Sequence, residues 1–150
     1  MKTIEQRISP LRGEVTVPGD KSISHRAVMF GSIARGTTEI SRFLPGADCL
    51  STVDCFKRLG VEIDTDPRTG LVTVHGKGMR GLRPGSDPAS LYTGNSGTTT
   101  RIMSGILAPQ PFATVISGDA SISARPMRRI ILPLPCLLPA DCVVRVCSAL

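Results

Sequence analysis

Aromatic residues are almost absent from this chain. Its 150 residues include no Trp and one Tyr, and Phe, Trp and Tyr together make up 3%. Proteins that bind single-stranded nucleic acid usually combine a basic groove with aromatic side chains on which bases stack. The formal net charge of +6 is spread along the chain without a block of Lys or Arg. It therefore indicates a small anionic partner rather than nucleic acid.

Long apolar runs and paired cysteines are also missing. No apolar stretch approaches the roughly 18 residues that a membrane-spanning helix requires, and the opening M-K-T-I-E-Q-R-I-S-P has no apolar signal core. The five cysteines include no C-x-x-C pair, and neither they nor the two histidines show the spacing of metal ligands. We therefore expect a cytoplasmic protein with no membrane partner and no bound metal.

The hydrophobic pattern predicts an α/β (α+β) fold in which one unit occurs twice. Strands are predicted at 13–17, 37–44, 61–64, 71–75 and 112–117. Helices are predicted at 20–35, 48–59, 96–107 and 125–132. The turn-forming stretch T-D-P-R-T-G joins the third and fourth strands as a hairpin. The first unit thus has the order β-α-β-α-β-β, and the second follows it about 75 residues later.

These elements predict the organisation of the chain. Residues 1–132 form a partial first domain, with unit one at about 13–76 and unit two at about 77–132. A leading strand at 1–12 belongs with a second domain that is not in this sequence. Residues 133–150 contain three prolines and three cysteines and offer one strand, 142–147, without a partner. We interpret this tail as the product of a frameshift or truncation.

Two glycine-led segments open the first helix of each unit. P-G-D-K-S-I-S-H-R at 18–26 and T-G-N-S-G-T-T-T-R at 93–101 each place a capping side chain, Asp20 or Asn95, after a glycine. Small hydroxyl residues and an arginine follow. A helix N-terminus presents free N–H groups and a positive dipole end, so each segment suits a phosphate or carboxylate. For the first segment alone, a capped helix with solvated cations fits equally well.

A third segment, G-D-A-S-I-S-A-R-P-M-R-R at 118–129, brings further cations. Arg125 precedes a proline, which favours an extended backbone and lets its side chain lean toward a neighbouring site. Arg128 and Arg129 fit a solvated helix face. Asp48 and Asp119 occupy corresponding places in the two units and are predicted as helix caps.

Three other residues have no single assigned role. Arg101 is either a ligand contact or a buried ion-pair partner, and the ion-pair role is slightly favoured. His25 fits an ordinary hydrogen-bonded helix residue better than a general base. His75 falls in the predicted hairpin and has no evident role.

In order, the three segments resemble the start of the 5-enolpyruvylshikimate-3-phosphate (EPSP) synthase family, the 3-phosphoshikimate 1-carboxyvinyltransferases of aromatic amino-acid biosynthesis. The resemblance covers about residues 8–134. It implies a domain of three β-α-β-α-β-β units, of which this chain holds about two. It also implies transfer of the enolpyruvyl group of phosphoenolpyruvate to the 5-hydroxyl of shikimate 3-phosphate with release of phosphate. No metal or organic cofactor is implied; the complete enzyme is expected to be monomeric and inhibited by glyphosate.

The resemblance also implies roles for particular residues. The shikimate 3-phosphate contacts are Lys21, Ser22 and Arg26. The phosphoenolpyruvate contacts are Lys21, Asn95, Gly97, Thr98 and Arg125. Lys21 reaches both substrates and stabilises charge in the reaction, whereas the acid–base carboxylates of the family lie outside these 150 residues. We therefore expect this chain alone to bind weakly and to turn over little or nothing.

Other functions stay open at this point. A related family transfers enolpyruvyl to UDP-N-acetylglucosamine, although K-S-I-S-H-R and A-R-P-M-R-R favour the shikimate enzyme. A non-catalytic anion-binding module, or a basic protein that meets nucleic acid through phosphate contacts, belongs to a different class.

Overall fold

The computed structural model of the chain describes residues 10, 12–134 and 144–146. Its elements in chain order are α1 (Lys21–Ile33), β1 (Arg35–Ile40), α2 (Ala47–Arg58), β2 (Glu62–Asp66), β3 (Leu71–Lys77), β4 (Ala89–Tyr92), α3 (Gly97–Leu107), β5 (Thr114–Ser117), α4 (Ala120–Ser123), α5 (Arg128–Ile131) and β6 (Val144–Val146). Helices and strands alternate along most of this order, so the predicted α/β class is confirmed.

The first sheet has the order β1-β3-β2 and is antiparallel throughout. The predicted hairpin is its β2–β3 pair. The carboxylate of Asp66 accepts hydrogen bonds from the Arg68 N–H at 2.9 Å and the Thr69 hydroxyl at 2.8 Å. Gly70 has φ +68°, a left-handed conformation that glycine adopts without strain. Local turn chemistry thus explains why this hairpin could be read from the sequence.

The second sheet has the order β4-β5-β6 and is parallel. Its third strand corrects the prediction that the strand near 142–147 has no partner. Val144–Val146 pairs with the free edge of β5, in a register that places Val144 opposite Thr114. The sequence did not indicate this partner because parallel pairing joins distant segments, without a local turn. The remaining residues of that predicted strand and most of the leading strand at 1–12 lie outside the described residues.

The three long helices pack on one another and contact both sheets. Contacts join α1, α2 and α3 pairwise, α1 lies on β1 and β3, and α2 also contacts β4. Val28, Phe56 and Met103, one from each helix, are fully buried. They belong to a single apolar cluster that also includes strand residues of both sheets. Burial of this shared apolar surface holds the N-terminal ends of the helices near one another.

The predicted strand at 13–17 is wrong. This segment has no regular secondary structure and pairs with no described strand, and Val15 and Val17 are 83% and 66% exposed. Alternating apolar residues show that a face can be buried, but they cannot supply the neighbouring strand that a ladder needs.

Several helix boundaries also differ from the predictions. The first helix ends at Ile33 rather than 35, because Arg35 already pairs in β1. The helix predicted over 125–132 is the shorter Arg128–Ile131, and a single turn at Ala120–Ser123 was missed. Four-residue helices are too short for hydrophobic periodicity to identify them.

Candidate functional site

The N-terminal ends of α1, α2 and α3 meet at a polar cleft of about 340 Å³. Its lining residues are Lys21, Asp48, Asn95, Gly97, Thr98, Arg101 and Arg125. The cleft therefore brings together all five residues predicted for phosphoenolpyruvate, although they come from three segments of the chain. It adds one carboxylate and one guanidinium that the sequence did not assign to it.

Asp20 and Lys21 open α1 at the edge of this cleft. The Asp20 Oδ1 atom accepts a hydrogen bond from the Ile23 N–H at 2.7 Å, which confirms Asp20 as the cap of the helix. The Lys21 ammonium donates to Oδ2 of Asp48. Since the Lys21 side chain is 52% exposed and an ammonium has three N–H donors, further donors remain for a ligand.

Asp48 is a corrected prediction. It does not cap α2, because that helix begins at Ala47 after Gly46, and no side chain caps it. Asp48 lies in the first turn instead, where a carboxylate is favoured by the helix dipole. Its partner Lys21 is 27 positions away. Only tertiary packing could reveal this pair.

Asn95 is also not the cap of its helix. Ser96 caps α3, and its Oγ accepts a hydrogen bond from the Thr99 N–H at 3.1 Å. The Oδ1 atom of Asn95 accepts instead from Nη2 of Arg125 at 2.7 Å. The turn at Gly94, with φ +56°, precedes this arrangement. Asn95 thus holds the Arg125 guanidinium over the start of α3 and does not cap the helix.

Close approach of two loops positions Arg125. A Cβ at Gly118 would overlap the side chain of Ile122 and lie 2.5 Å from the Gly94 carbonyl oxygen, so only glycine fits there. That carbonyl accepts a hydrogen bond from the Asp119 N–H at 3.0 Å. Asp119 then caps α4 as predicted, through the Ile122 N–H at 2.9 Å. The single turn of α4 delivers the half-buried Arg125 to the cleft.

Gly97 lies beneath two guanidinium groups. A Cβ built on this residue would overlap Nη1 of Arg101 and lie 3.1 Å from Nη1 of Arg125. Arg101 is four residues further along α3, hence on the same helix face as Gly97. The ion pair that the sequence favoured for Arg101 is not seen with any described carboxylate, and the residue lines the cleft instead. The spacing from 97 to 101 could have indicated this.

The charges of the cleft suit a ligand with more than one negative charge. Lys21, Arg101 and Arg125 are cationic and Asp48 is anionic, which leaves a net charge of +2. Guanidinium groups bind phosphate and carboxylate through paired N–H donors. The first turn of α3 adds backbone N–H groups without a helical partner.

Ser22 and Arg26 do not line the cleft. Both side chains are exposed on α1. They are four residues apart and share a helix face next to Lys21. The structure therefore places the predicted sugar-phosphate residues beside the cleft rather than in it. Arg128 and Arg129 are exposed on α5, as the sequence predicted.

His25 forms a buried hydrogen bond one helical turn from Lys21. Its Nδ1 atom lies 2.7 Å from the Thr52 hydroxyl, and the residue is fully buried. Burial and, secondly, the nearby Lys21 ammonium lower the pKa of His25 from its usual value, so the ring is neutral near pH 7. The prediction of an ordinary hydrogen-bonded helix residue is confirmed.

Within the described part of the chain, one group of side chains has the composition of a metal site. Donor atoms of Glu62, Asp64 and His75 lie within 4.8 Å of one another on the first sheet. His75, which the sequence left without a role, also lies 3.3 Å from the Thr37 hydroxyl. The group is largely exposed and shares no residue with the cleft. None of the described helices is long and apolar enough to cross a membrane.

Comparison with known proteins identifies the family. The family model described as EPSP synthase (3-phosphoshikimate 1-carboxyvinyltransferase) matches residues 5–145. The chain belongs to the EPSP synthase family. This match extends beyond residues 8–134, which carry the resemblance, and it ends at residue 145, within the strand β6.

Relatives and solved structures agree with this assignment. The 3-phosphoshikimate 1-carboxyvinyltransferase of Brevibacillus brevis is 59% identical over 129 residues, which are 86% of this chain and 29% of the relative. That of Desulforamulus reducens is 53% identical over 135 residues, 89% of this chain and 30% of the relative. The structure of EPSP synthase from Acinetobacter baumannii matches with a TM-score of 0.75 and 54% identity, over 83% of this chain and 27% of that one. The chain thus spans less than a third of the length of these proteins.

Proposed function

We propose that this chain forms the first-domain part of an EPSP synthase active site, and that its cleft binds phosphoenolpyruvate. The observation that supports this most directly is the convergence of Lys21, Arg101 and Arg125 around Gly97 at a helix N-terminus. Phosphoenolpyruvate carries a phosphate and a carboxylate on one small carbon frame. A cleft with three cations and a net charge of +2 matches that charge distribution.

The proposed roles follow from the position of each group. Arg125, oriented by Asn95, binds one anionic group of phosphoenolpyruvate. The backbone N–H groups of Gly97 and Thr98 bind the other, because the first turn of the helix leaves them without partners. Lys21 lies at the edge of the cleft and reaches both substrates as a mobile point charge.

Shikimate 3-phosphate is proposed to lie against the start of α1. Ser22 and Arg26 are exposed there next to Lys21, and together they offer a hydroxyl, a guanidinium and an ammonium to a phosphate. The cleft and this helix face would then hold the two anionic substrates side by side. The intervening cations offset the repulsion between them and orient the reactants.

In the proposed reaction the 5-hydroxyl of shikimate 3-phosphate adds to the central carbon of phosphoenolpyruvate while the methylene carbon takes a proton. The tetrahedral adduct then loses phosphate, and the new methyl group gives up a proton, so that the double bond is restored. The residues of this chain bind, orient and stabilise charge, whereas proton transfer belongs to carboxylates of the remaining sequence of the family. We propose accordingly that this chain alone binds substrates without turnover.

The wider organisation is proposed on the same basis. Units at about 13–76 and 77–132 would be two of three repeats of the first domain. The complete enzyme would be a cytoplasmic monomer that uses no cofactor and does not bind nucleic acid. The names of the relatives support shikimate 3-phosphate over UDP-N-acetylglucosamine as the acceptor.

Binding to this chain can be tested directly. An ¹⁵N-labelled chain titrated with phosphoenolpyruvate should show chemical-shift changes at the amides of Gly97 and Thr98. The dissociation constant should be about 1 mM, because the chain supplies only part of the site. Arg125→Ala should weaken binding by at least about tenfold, since a charged hydrogen-bonded contact is lost. Arg128→Ala removes an exposed cation outside the cleft and is the matched control. Equal loss in both variants would indicate unspecific charge attraction.

Turnover needs the rest of the enzyme. Residues 12–131 can replace the matching segment of the Brevibacillus brevis relative, to which the chain is 59% identical. The chimera should convert shikimate 3-phosphate and phosphoenolpyruvate to product and phosphate, and should not use UDP-N-acetylglucosamine. Preference for the nucleotide sugar, or salt-dependent binding of DNA by the original chain, would favour the alternative functions.

A further inference from the structure

A buried chain of polar side chains links the three helices directly beneath the cleft. His25 Nδ1 lies 2.7 Å from Thr52 Oγ1, which lies 2.7 Å from Thr99 Oγ1. The Thr99 hydroxyl in turn donates to Ser96 Oγ at 2.6 Å. All four residues are fully buried. Polar groups in such a place are held by their partners, since water cannot replace them.

Each helix contributes to the cleft and to this chain of hydrogen bonds from adjacent turns. On α1, Lys21 faces the cleft and His25 follows four residues later. On α2, Asp48 is followed four residues later by Thr52. Residues four apart share a helix face, so the Lys21–Asp48 and His25–Thr52 contacts form two successive links between the same two helices. Thr99 extends the lower link to α3, where Ser96, Gly97 and Thr98 begin the helix.

The direction of these hydrogen bonds assigns the tautomer of His25. The Thr99 hydroxyl donates to Ser96, so its oxygen must accept from Thr52. The Thr52 hydroxyl has one proton, and Thr99 Oγ1 at 2.7 Å is a closer acceptor for it than the Asp48 carbonyl oxygen at 3.4 Å. With its proton used in this way, the Thr52 oxygen accepts from His25. His25 must therefore carry its proton on Nδ1. Its Nε2 is then a bare acceptor, and it has no hydrogen-bond partner among the described residues.

We propose that Thr52 and Thr99 are positioning residues, which set the relative placement of the three helix N-termini and so the spacing of the anion-binding groups. This inference rests on the proposed function for its ligand but not for its geometry. Thr52 is the central member, because it is the only one of the four that contacts both of the other helices in the described structure. Packing of apolar side chains alone would allow the helices to slide or rotate, whereas this series of directed contacts favours one arrangement.

The adjacent threonine provides a matched control. Thr100 Oγ1 lies 2.8 Å from Thr93 Oγ1 and also donates to the Ser96 carbonyl, so it is buried and hydrogen-bonded like Thr99. The described side-chain hydrogen bonds of Thr100 are with the start of its own helix and with the segment that follows β4, whereas Thr99 bonds to α2. Valine has nearly the same shape as threonine, so replacing either threonine by valine removes one buried hydroxyl and keeps the side-chain shape. Only Thr99→Val cuts the link between the helices.

The test uses the 150-residue chain and two ligand-free measurements. First, ¹⁵N NMR of the unmodified chain should show His25 as the neutral Nδ1–H tautomer near pH 7; an Nε2–H tautomer would overturn the hydrogen-bond order. Second, residual dipolar couplings should show a changed orientation of α3 relative to α1 and α2 in Thr99→Val but not in Thr100→Val. Unchanged orientation in both variants would refute the positioning role.

Affinity connects this geometry to the site. Thr52→Val and Thr99→Val should each weaken phosphoenolpyruvate binding by about three- to tenfold, because each variant loses one hydrogen bond that fixes the arrangement of the helices around the site. Thr100→Val should bind as the unmodified chain does, and Thr99→Ser should restore binding because the hydroxyl returns. If Thr99→Val does not fold, Thr52→Val removes the same link from the other side, and it decides the inference together with the tautomer of His25. Absence of phosphoenolpyruvate binding by the unmodified chain would contradict the proposed function, while the dipolar couplings would still test the positioning role.

Discussion

Replacing Gly97 by alanine should separate binding from stability. The new Cβ would overlap Nη1 of Arg101 and lie 3.1 Å from Nη1 of Arg125. Both atoms are at the far ends of flexible side chains, so the guanidinium groups can move where backbone could not. The backbone of Gly97 has no left-handed φ, and alanine meets no conformational strain there. The substitution therefore displaces the cations of the cleft and leaves the helix in place.

The expected effects of Gly97→Ala on stability and on binding differ in size. Stability should change by less than about 1 kcal/mol, because alanine is favoured over glycine in helices by up to ~1 kcal/mol and this gain offsets the cost of moving Arg101. Phosphoenolpyruvate binding should lose one charged hydrogen-bonded contact, worth about 1.5–3 kcal/mol, and hence weaken by roughly ten- to a hundredfold. A methyl group also occupies space in a cleft of about 340 Å³ next to the bound anion.

Gly105 offers the control within the same helix. It is exposed on α3, and a Cβ there would meet nothing within 4 Å. Gly105→Ala should raise the free energy of unfolding by about 0.5–1 kcal/mol and leave binding unchanged. Urea unfolding and calorimetric titration with phosphoenolpyruvate measure the two quantities for both variants. If Gly97→Ala binds as tightly as Gly105→Ala, Arg101 and Arg125 do not converge on the ligand as proposed.

Three further predictions concern single side chains. In the chimera, Lys21→Ala should reduce turnover below detection, and near-normal activity of the variant would contradict the bridging role. The substitution should cost less than ~1 kcal/mol of stability, because the Lys21–Asp48 pair is partly exposed. Glyphosate should inhibit the unmodified chimera. The lowered pKa of His25 means that the unfolded chain binds the proton first, so the free energy of unfolding should fall as pH drops below 6.5; His25→Gln should flatten this dependence in denaturation curves measured across that range. Burial raises the pKa of the Cys55 thiol to about 12; peptide mapping after treatment with a thiol reagent at pH 8 should therefore find Cys55 modified only in the unfolded chain.

Local signals made much of the fold predictable. The hairpin was correct because Asp66 and Gly70 specify their turn through neighbouring residues. Asp20 and Asp119 were correct caps for the same reason, since each bonds an N–H three residues away. The strand predicted at 13–17 failed because a strand depends on a partner, which periodicity does not provide.

The residues of the site were also predictable, but the contacts among them were not. Five residues of the cleft were named from the motifs, and the structure brings them together. The contacts among them were not predictable: Asn95 orients Arg125 instead of capping its helix, and Asp48 meets Lys21 across 27 positions. A motif indicates which side chains share a function, while the packing of three helices decides which of them touch.

The position of Asp48 has a consequence for how the cleft accepts an anion. Without a ligand its carboxylate accepts from the Lys21 ammonium, which limits the repulsion among three cations in one small space. A bound anion then competes with Asp48 for that ammonium, but the three donors of Lys21 let it contact both. Arg101 and Arg125 have no described carboxylate partner and are the stronger anchors. Lys21 is therefore the cation of the cleft most able to change its partner, and this is the property that its proposed bridging role requires.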